Sequence, residues 1–351
     1  MISSWVGMSR KALSWGLPLF LAATLPGCGG GGPTGPSTPP TPAVPTYSVT
    51  VTVFYDQNGN GQLDANESVR IPGVDVVIGA GTGKSAAGTG MAVVSGVVEG
   101  SQTVMLRTET IPTYFQPENP VSVQVPATGE VRIPLTLPIG RNNANVYLGY
   151  GDSITYGDGS SDKQGYVLKL QNLLGPYLGR ADVKSWGRPG TFSSTGEDAI
   201  RVTMGWFDPA YVLIHYGTND WNDQQCQHSA ASSCFTIDAL RGMIDEAKDR
   251  DTLPVLATLI PTNPSLTPAG RNKWTDDTNA MIKTLAQQEQ VLLCDMNAEF
   301  KAQANMTSLY SDDVHPNDAG YQVMAQAWFK AITRGRAQAS RAGPRFGFSL
   351  F

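Results

Sequence analysis

Along this chain the hydrophobic positions keep two different rhythms, one before and one after about residue 140. Tyr47-Ser48-Val49-Thr50-Val51-Thr52-Val53-Phe54 puts an apolar side chain on every second position, the period of a strand with one buried face. Val74 to Ile78, Val121 to Val125 and Val131 to Leu137 continue in kind, with Gly and Pro turns between. Short strands of this sort predict an all-β sandwich over residues 46–139. From residue 145 the pattern becomes apolar runs separated by stretches with three-and-four spacing. Strands are expected at 146–150, 181–185, 211–216, 254–259 and 291–295. Helices are expected at 166–174, 197–206, 237–249, 273–288 and 318–332. In the last helix Tyr321, Met324, Trp328 and Ile332 share one face, which reads as core packing. Apolar strands alternating with helices imply a parallel sheet covered on both sides, hence a flavodoxin-like three-layer α/β/α domain over 145–335.

The amino-terminal end reads differently. Arg10 and Lys11 precede an apolar run from Ala12 to Leu25, shorter than the span of about 20 residues that crosses a bilayer. This is the pattern of an export signal over residues 1–27. It ends at Leu25-Pro26-Gly27-Cys28, which is similar to a lipobox, where cleavage precedes the cysteine and the new terminus is lipidated. Pro26 departs from the usual box, so secretion with cleavage nearby is the alternative. Gly29 to Pro45 has little to bury and reads as a disordered tether over 28–45. The expected location is therefore a membrane-anchored lipoprotein facing the periplasm or the cell exterior, touching the membrane through its lipid alone. The tail, residues 336–351, carries no clear reading.

Four cysteines suit an oxidising compartment. Cys28 is assigned to the lipid, Cys226 and Cys234 are spaced to close a small disulfide ring, and Cys294 lies in an apolar strand. Zinc is disfavoured because only His228 stands near the pair. A net charge of -5 offers no basic patch and argues against nucleic acid. A monomer is expected.

Three distant stretches carry candidate chemistry: Gly151-Asp152-Ser153-Ile154-Thr155, Gly217-Thr218-Asn219-Asp220 and Asp312-Asp313-Val314-His315-Pro316. A serine hydroxyl needs an imidazole to take its proton, and the imidazole needs a carboxylate to fix its tautomer. Ser153, His315 and Asp312 are of the right types. An amide such as that of Asn219 can hold a developing oxyanion. Each block alone has a plainer reading as a turn or a helix entry. The chain has three histidines: His215 sits in an apolar strand and His228 in a polar loop, so His315 alone has a carboxylate at useful spacing.

In these blocks and their order the chain resembles the SGNH (GDSL-type) hydrolases, over roughly residues 145 to 335. The resemblance implies an acyl-enzyme mechanism with Ser153 as nucleophile, His315 as base and Asp312 as its partner. It further implies an oxyanion hole from the backbone N–H of Ser153 and Gly190 and from Asn219, with no cofactor for catalysis. The block Ser185-Trp186-Gly187-Arg188-Pro189-Gly190-Thr191-Phe192 keeps the two glycines of the family's NxGxxGxT pattern. It has Ser185 where Asn is usual and Phe192 where Thr is usual, a departure that bears on Gly190. The family's substrates include acetylated carbohydrates, lysophospholipids, aryl esters and thioesters. Export, the sandwich module, and the candidate rim aromatics Tyr156 and Trp221 favour a carbohydrate ester, although both aromatics also suit plain packing. A lysophospholipase or short-chain acyl or aryl esterase is the alternative. A surface-binding lipoprotein with an inactive hydrolase domain is the alternative of another class.

Within the β region, Asp56, Asn58, Asn60, Gln62 (through its position in the loop), Asp64 and Glu67 supply oxygens around Gly61, in the order of a twelve-residue calcium loop. A Gly/Asn-rich hairpin turn is the plainer alternative. With strands as flanks, the segment resembles the calcium-binding B-type repeats and carboxypeptidase-regulatory-like sandwiches, which implies a structural Ca²⁺ outside the chemistry.

Overall fold

The computed structural model describes residues 43–334 except 119, 228, 229 and 269. The export signal, Cys28, the tether as far as residue 42, His228 and the tail from residue 336 lie outside the described residues.

Eight strands come first: β1 (Thr46–Tyr55), β2 (Asp75–Ile78), β3 (Gly81–Lys84), β4 (Met91–Val98), β5 (Gly100–Leu106), β6 (Gln116–Pro117), β7 (Val121–Val125) and β8 (Val131–Thr136). They form two four-stranded sheets, in the orders β4-β1-β8-β6 and β3-β2-β5-β7. The period-two pattern of β1 has its expected effect, since Val49, Val51 and Val53 are fully buried. They join Val76 and Ile78 of β2, Val94 of β4 and Val104 of β5 in one apolar cluster. The cluster does not stop at residue 139. It runs on into Tyr147, Leu170, Tyr211 and Trp328, so the β region and the α/β region share buried surface. Tyr114 ties the two, its hydroxyl donating to Pro254 O at 3.1 Å and accepting from Leu292 N at 3.2 Å.

The α/β region follows as β9 (Asn143–Gly151), α1 (Ser153–Tyr156), α2 (Gly165–Leu178), β10 (Asp182–Gly187), α3 (Ser193–Phe207), β11 (Pro209–His215), α4 (Gln224–Gln227), α5 (Thr236–Lys248), β12 (Leu253–Ala257), α6 (Arg271–Gln288), β13 (Leu292–Cys294), α7 (Met296–Lys301) and α8 (Asp318–Arg334). Its five strands pair in parallel in the order β10-β9-β11-β12-β13. The chain thus reverses direction across the sheet between β9 and β11, and such a reversal opens a crevice at the carboxyl ends of the strands. Every residue of β11 and β12 is buried, as expected of strands covered on both faces. Tyr321, Met324, Trp328 and Ile332 of α8 face that core.

Two helices run longer than their sequence pattern predicts. α2 continues through Gly175-Pro176 to Leu178, with Pro176 in its last turn. α3 begins at Ser193, four residues early, because its first N–H is satisfied by Asp220 from another part of the chain.

Candidate active site

Three strand ends lie level. Gly151 at the end of β9 is in register with Gly187 of β10 on one side and with His215 of β11 on the other. The residues that follow each strand therefore emerge along one edge. Gly151 must be glycine, because a Cβ there would collide with Thr155 Oγ1 and the backbone oxygen of His215. The chain turns sharply at Asp152, whose side chain accepts from Ile154 N at 3.0 Å and caps α1. That turn presents Ser153 at the start of α1, with 7% of its surface exposed.

His315 arrives from the far end of the sequence. Its Nε2 lies 2.8 Å from Ser153 Oγ, and its Nδ1 lies 2.7 Å from Asp312 Oδ2. The other carboxylate oxygen of Asp312 accepts from the backbone N–H of His315 at 2.7 Å and of Val314 at 2.9 Å. Burial alone would raise the Asp312 carboxyl, but these donors and the imidazole outweigh it and hold it below the usual carboxylate range. The Asp312–His315 loop is itself anchored. Ser311 N donates to His315 O at 2.9 Å, Asn263 N donates to Asp313 O at 2.9 Å, and the side chain of Asn317 accepts from Ala319 N and Gly320 N at the entry to α8.

Asn219 follows β11. Its Nδ2 donates one hydrogen to Thr191 O at 3.0 Å, which leaves the second for a ligand. Gly190 lies in the turn closed by Thr191 N and Arg188 O, with φ +75°, a left-handed conformation suited to glycine. Arg188 N donates to Gly151 O at 2.9 Å, so this turn hangs directly beside the serine. Ser185, in the place where the family carries Asn, donates from its hydroxyl to Thr155 O at 3.1 Å and links the same two segments.

The local pattern hid a second layer. Asp220 is fully buried, and its carboxylate accepts from Ser193 N at 2.9 Å, Ser193 Oγ at 2.6 Å and Thr236 Oγ1 at 2.6 Å. Burial raises its carboxyl above the ordinary value. Ser193 and Thr236 carry no motif, and the Asp beside Asn219 was their only signal in the sequence. Asp152 is also fully buried. Burial first, and then the charge of Asp220, push its carboxyl up to about 7, with Ile154 N and His315 opposing, and its Oδ2 has no hydrogen-bond partner among the described residues. His215 is buried in β11, its ring nitrogens likewise unpartnered, and burial pushes it down to about 4.

Residues 150–323 match the model of the GDSL-like Lipase/Acylhydrolase family. This stretch is similar to GDSL-like hydrolases. The parallel sheet and its helices are the α/β fold of SGNH hydrolases, and the chain is a hydrolase. Similar solved structures include a variant of an acetyl xylan esterase from Geobacillus stearothermophilus, 23% identical, covering 57% of this chain and 99% of that one with a TM-score of 0.45. A GDSL-like lipase from Bacteroides thetaiotaomicron is 19% identical, covering 54% and 87% with a TM-score of 0.43. Values this low assign no substrate to the hydrolase domain. No curated protein matches the chain.

Cys226 and Cys234 are joined in a disulfide, with their Cα atoms 4.6 Å apart, and Cys294 is a buried free thiol. Trp221 packs edge-on against Trp274 at 5.8 Å, whereas Tyr156 is 48% exposed. In the expected calcium loop, Asp56 and Glu67 are buried without an ion pair among the described residues. Asp56 accepts from the N–H groups of Gly59, Asn60 and Gly61, Glu67 from those of Gln57 and Asp64, and Asp64 from the side-chain amides of Asn58 and Asn60. Among the described residues no group of three or more His, Cys, Asp or Glu is placed to hold a metal ion. The loop's donors are all oxygens, which is the chemistry of a hard cation. Burial, then the charges of Asp56 and Glu67, push the neighbouring Tyr55 up to about 12.

Proposed function

We propose that this hydrolase is a serine esterase in which Ser153 is the nucleophile, His315 the general base and Asp312 the carboxylate that orients it. The observation that carries the reading is the continuous chain Ser153 Oγ, His315 Nε2, His315 Nδ1, Asp312 Oδ2, with both links under 3 Å. His315 takes the hydroxyl proton as Ser153 Oγ bonds to the ester carbonyl carbon, and the carbonyl electron pair moves onto oxygen. Asn219 Nδ2 and the backbone N–H groups of Ser153 and Gly190 hold that oxyanion. Its collapse breaks the bond to the alcohol, which leaves with the proton from His315. Water then attacks the acyl-serine by the same route and releases the acid. Asp312, held ionised by its backbone donors, stabilises the imidazolium in both halves.

The substrate is an acetylated carbohydrate, met outside the cell by a lipoprotein anchored through Cys28. The exposed Tyr156 ring, three residues from Ser153, supports this as a surface on which a sugar can stack. In the β region, Asp56 and Glu67, with the oxygens of Asn58, Asn60, Gln62 and Asp64, would hold a structural Ca²⁺. That ion would neutralise two buried carboxylates and take no part in hydrolysis. The test of the esterase reading is labelling with a fluorophosphonate probe followed by peptide mass mapping. An adduct on Ser153 is expected, and an unlabelled Ser153 in folded protein would refute the assignment.

A further inference from the structure

Between the end of α1, the start of α2 and the end of β10 the surface dips into a cleft of about 340 Å³ lined by Tyr156, Lys163, Gln164, Trp186 and Arg188, among others. Its position is fixed by the backbone. Gly187 in its wall packs so closely on Tyr156 that a Cβ would strike the Tyr156 backbone, so the cleft starts at the end of the helical turn that Ser153 begins. Its other wall is the end of β10 with Arg188, where the turn that carries Gly190 begins. Through Tyr156 and Arg188 the cleft adjoins the two segments that carry Ser153 and Gly190.

The lining has a definite chemistry. Arg188 lays its guanidinium over the Trp186 ring, 4.2 Å from the centroid, a contact that fixes the plane of the fork and leaves its N–H edge free to bind. Lys163 stands on the rim with φ +57°, a conformation unusual for a residue with a side chain. The nearby carboxylates of Asp162 and Asp318 are taken by Lys169, at 3.4 and 3.7 Å. Neither Lys163 nor Arg188 has an ion pair among the described residues. In a chain of net charge -5, two cations thus face one cleft beside an exposed aromatic ring.

We infer that this cleft is a subsite for an acidic sugar, with a uronate carboxylate between Lys163 and Arg188 and its ring against Tyr156. The inference rests on the esterase reading above and narrows it to O-acetylated acidic oligosaccharides. Charge-assisted hydrogen bonds from a guanidinium and an ammonium favour a carboxylate over a hydroxyl at the same place, so a neutral oligosaccharide loses the contact while still presenting its ester.

The experiment compares kcat/KM on acetylated oligogalacturonates and acetylated xylo-oligosaccharides of equal length, with p-nitrophenyl acetate alongside. The acidic substrate should be preferred by about tenfold or more, mainly in KM, and the preference should shrink with added salt. In the double variant Lys163→Gln, Arg188→Gln the acidic-to-neutral ratio should fall toward one. If that variant does not fold, unacetylated oligogalacturonate should still inhibit wild-type turnover of p-nitrophenyl acetate competitively where xylo-oligosaccharide does not. Equal wild-type kcat/KM on the two oligosaccharides, turnover of neither, a ratio unmoved in the folded variant or no selective inhibition overturns the subsite. Failure of the wild type to hydrolyse p-nitrophenyl acetate overturns the esterase reading beneath it.

Discussion

Asp220 accepts both the backbone N–H and the hydroxyl of Ser193, at 2.9 and 2.6 Å, although one follows β11 and the other starts the helix after β10. Thr236, next to the Cys226–Cys234 ring, donates to the same carboxylate. A single buried side chain thus joins three connections at the edge of the sheet, immediately behind Asn219. Its three donors cannot reach water, so their alignment depends on that carboxylate.

Removing the proposed oxyanion donor and removing its support should differ in kind. Asn219→Ala should lower kcat by about 10²-fold or more with little change in melting temperature. Asp220→Ala should lower kcat and also destabilise the fold by several kcal/mol, roughly 1–3 for each donor left without a partner. Steady-state kinetics and thermal melts of both variants check this. Full kcat in Asn219→Ala would remove the amide from the mechanism.

Two buried groups set opposing pH dependences of stability. Between about pH 4 and 6.5 unfolded His215 binds a proton that the folded state excludes, so stability is lost as pH falls through this window. Between 3.8 and about 7 folded Asp152 keeps a proton that the unfolded chain releases, so stability is lost as pH rises. Asp220, also raised, adds to the second sense. Each full proton difference gives a slope of about 1.4 kcal/mol per pH unit. Relative to wild type, the slope of melting temperature against pH from about 5 to 6.5 should become more negative in His215→Met and more positive in Asp152→Asn. Melts that move together in both variants would contradict the assignment.

The calcium proposal is tested by chelation. An ion bound only to the folded state stabilises by about 2.7 kcal/mol at a hundredfold excess over Kd. EGTA should therefore lower the melting temperature, and Asp56→Asn should abolish the response. A melt indifferent to EGTA would refute the ion.

How much of this was legible in the sequence depended on whether the cause was local. The five parallel strands read clearly because strands buried on both faces are almost wholly apolar, as in Tyr211 to Ile214. β1 read clearly because its Val residues alternate. β4 and β5 were missed, since Gly96 and Gly100 and exposed Val93, Val98 and Met105 blur their alternation. The early start of α3 was hidden because its first N–H is satisfied by Asp220, 27 residues away. Ser153, Asn219, Asp312 and His315 stood out because each lies in a short motif, and the order of strands brings the motifs to one edge. Ser193 and Thr236 have no such signature, so only the packed structure reveals them.

Turnover by Ser153→Ala tests the central claim most directly. With p-nitrophenyl acetate as substrate and an unchanged melting temperature as the control for folding, kcat should fall by about 10⁴-fold or more. A folded Ser153→Ala protein that hydrolyses the ester at the wild-type rate would show that the hydroxyl 2.8 Å from His315 is not the nucleophile.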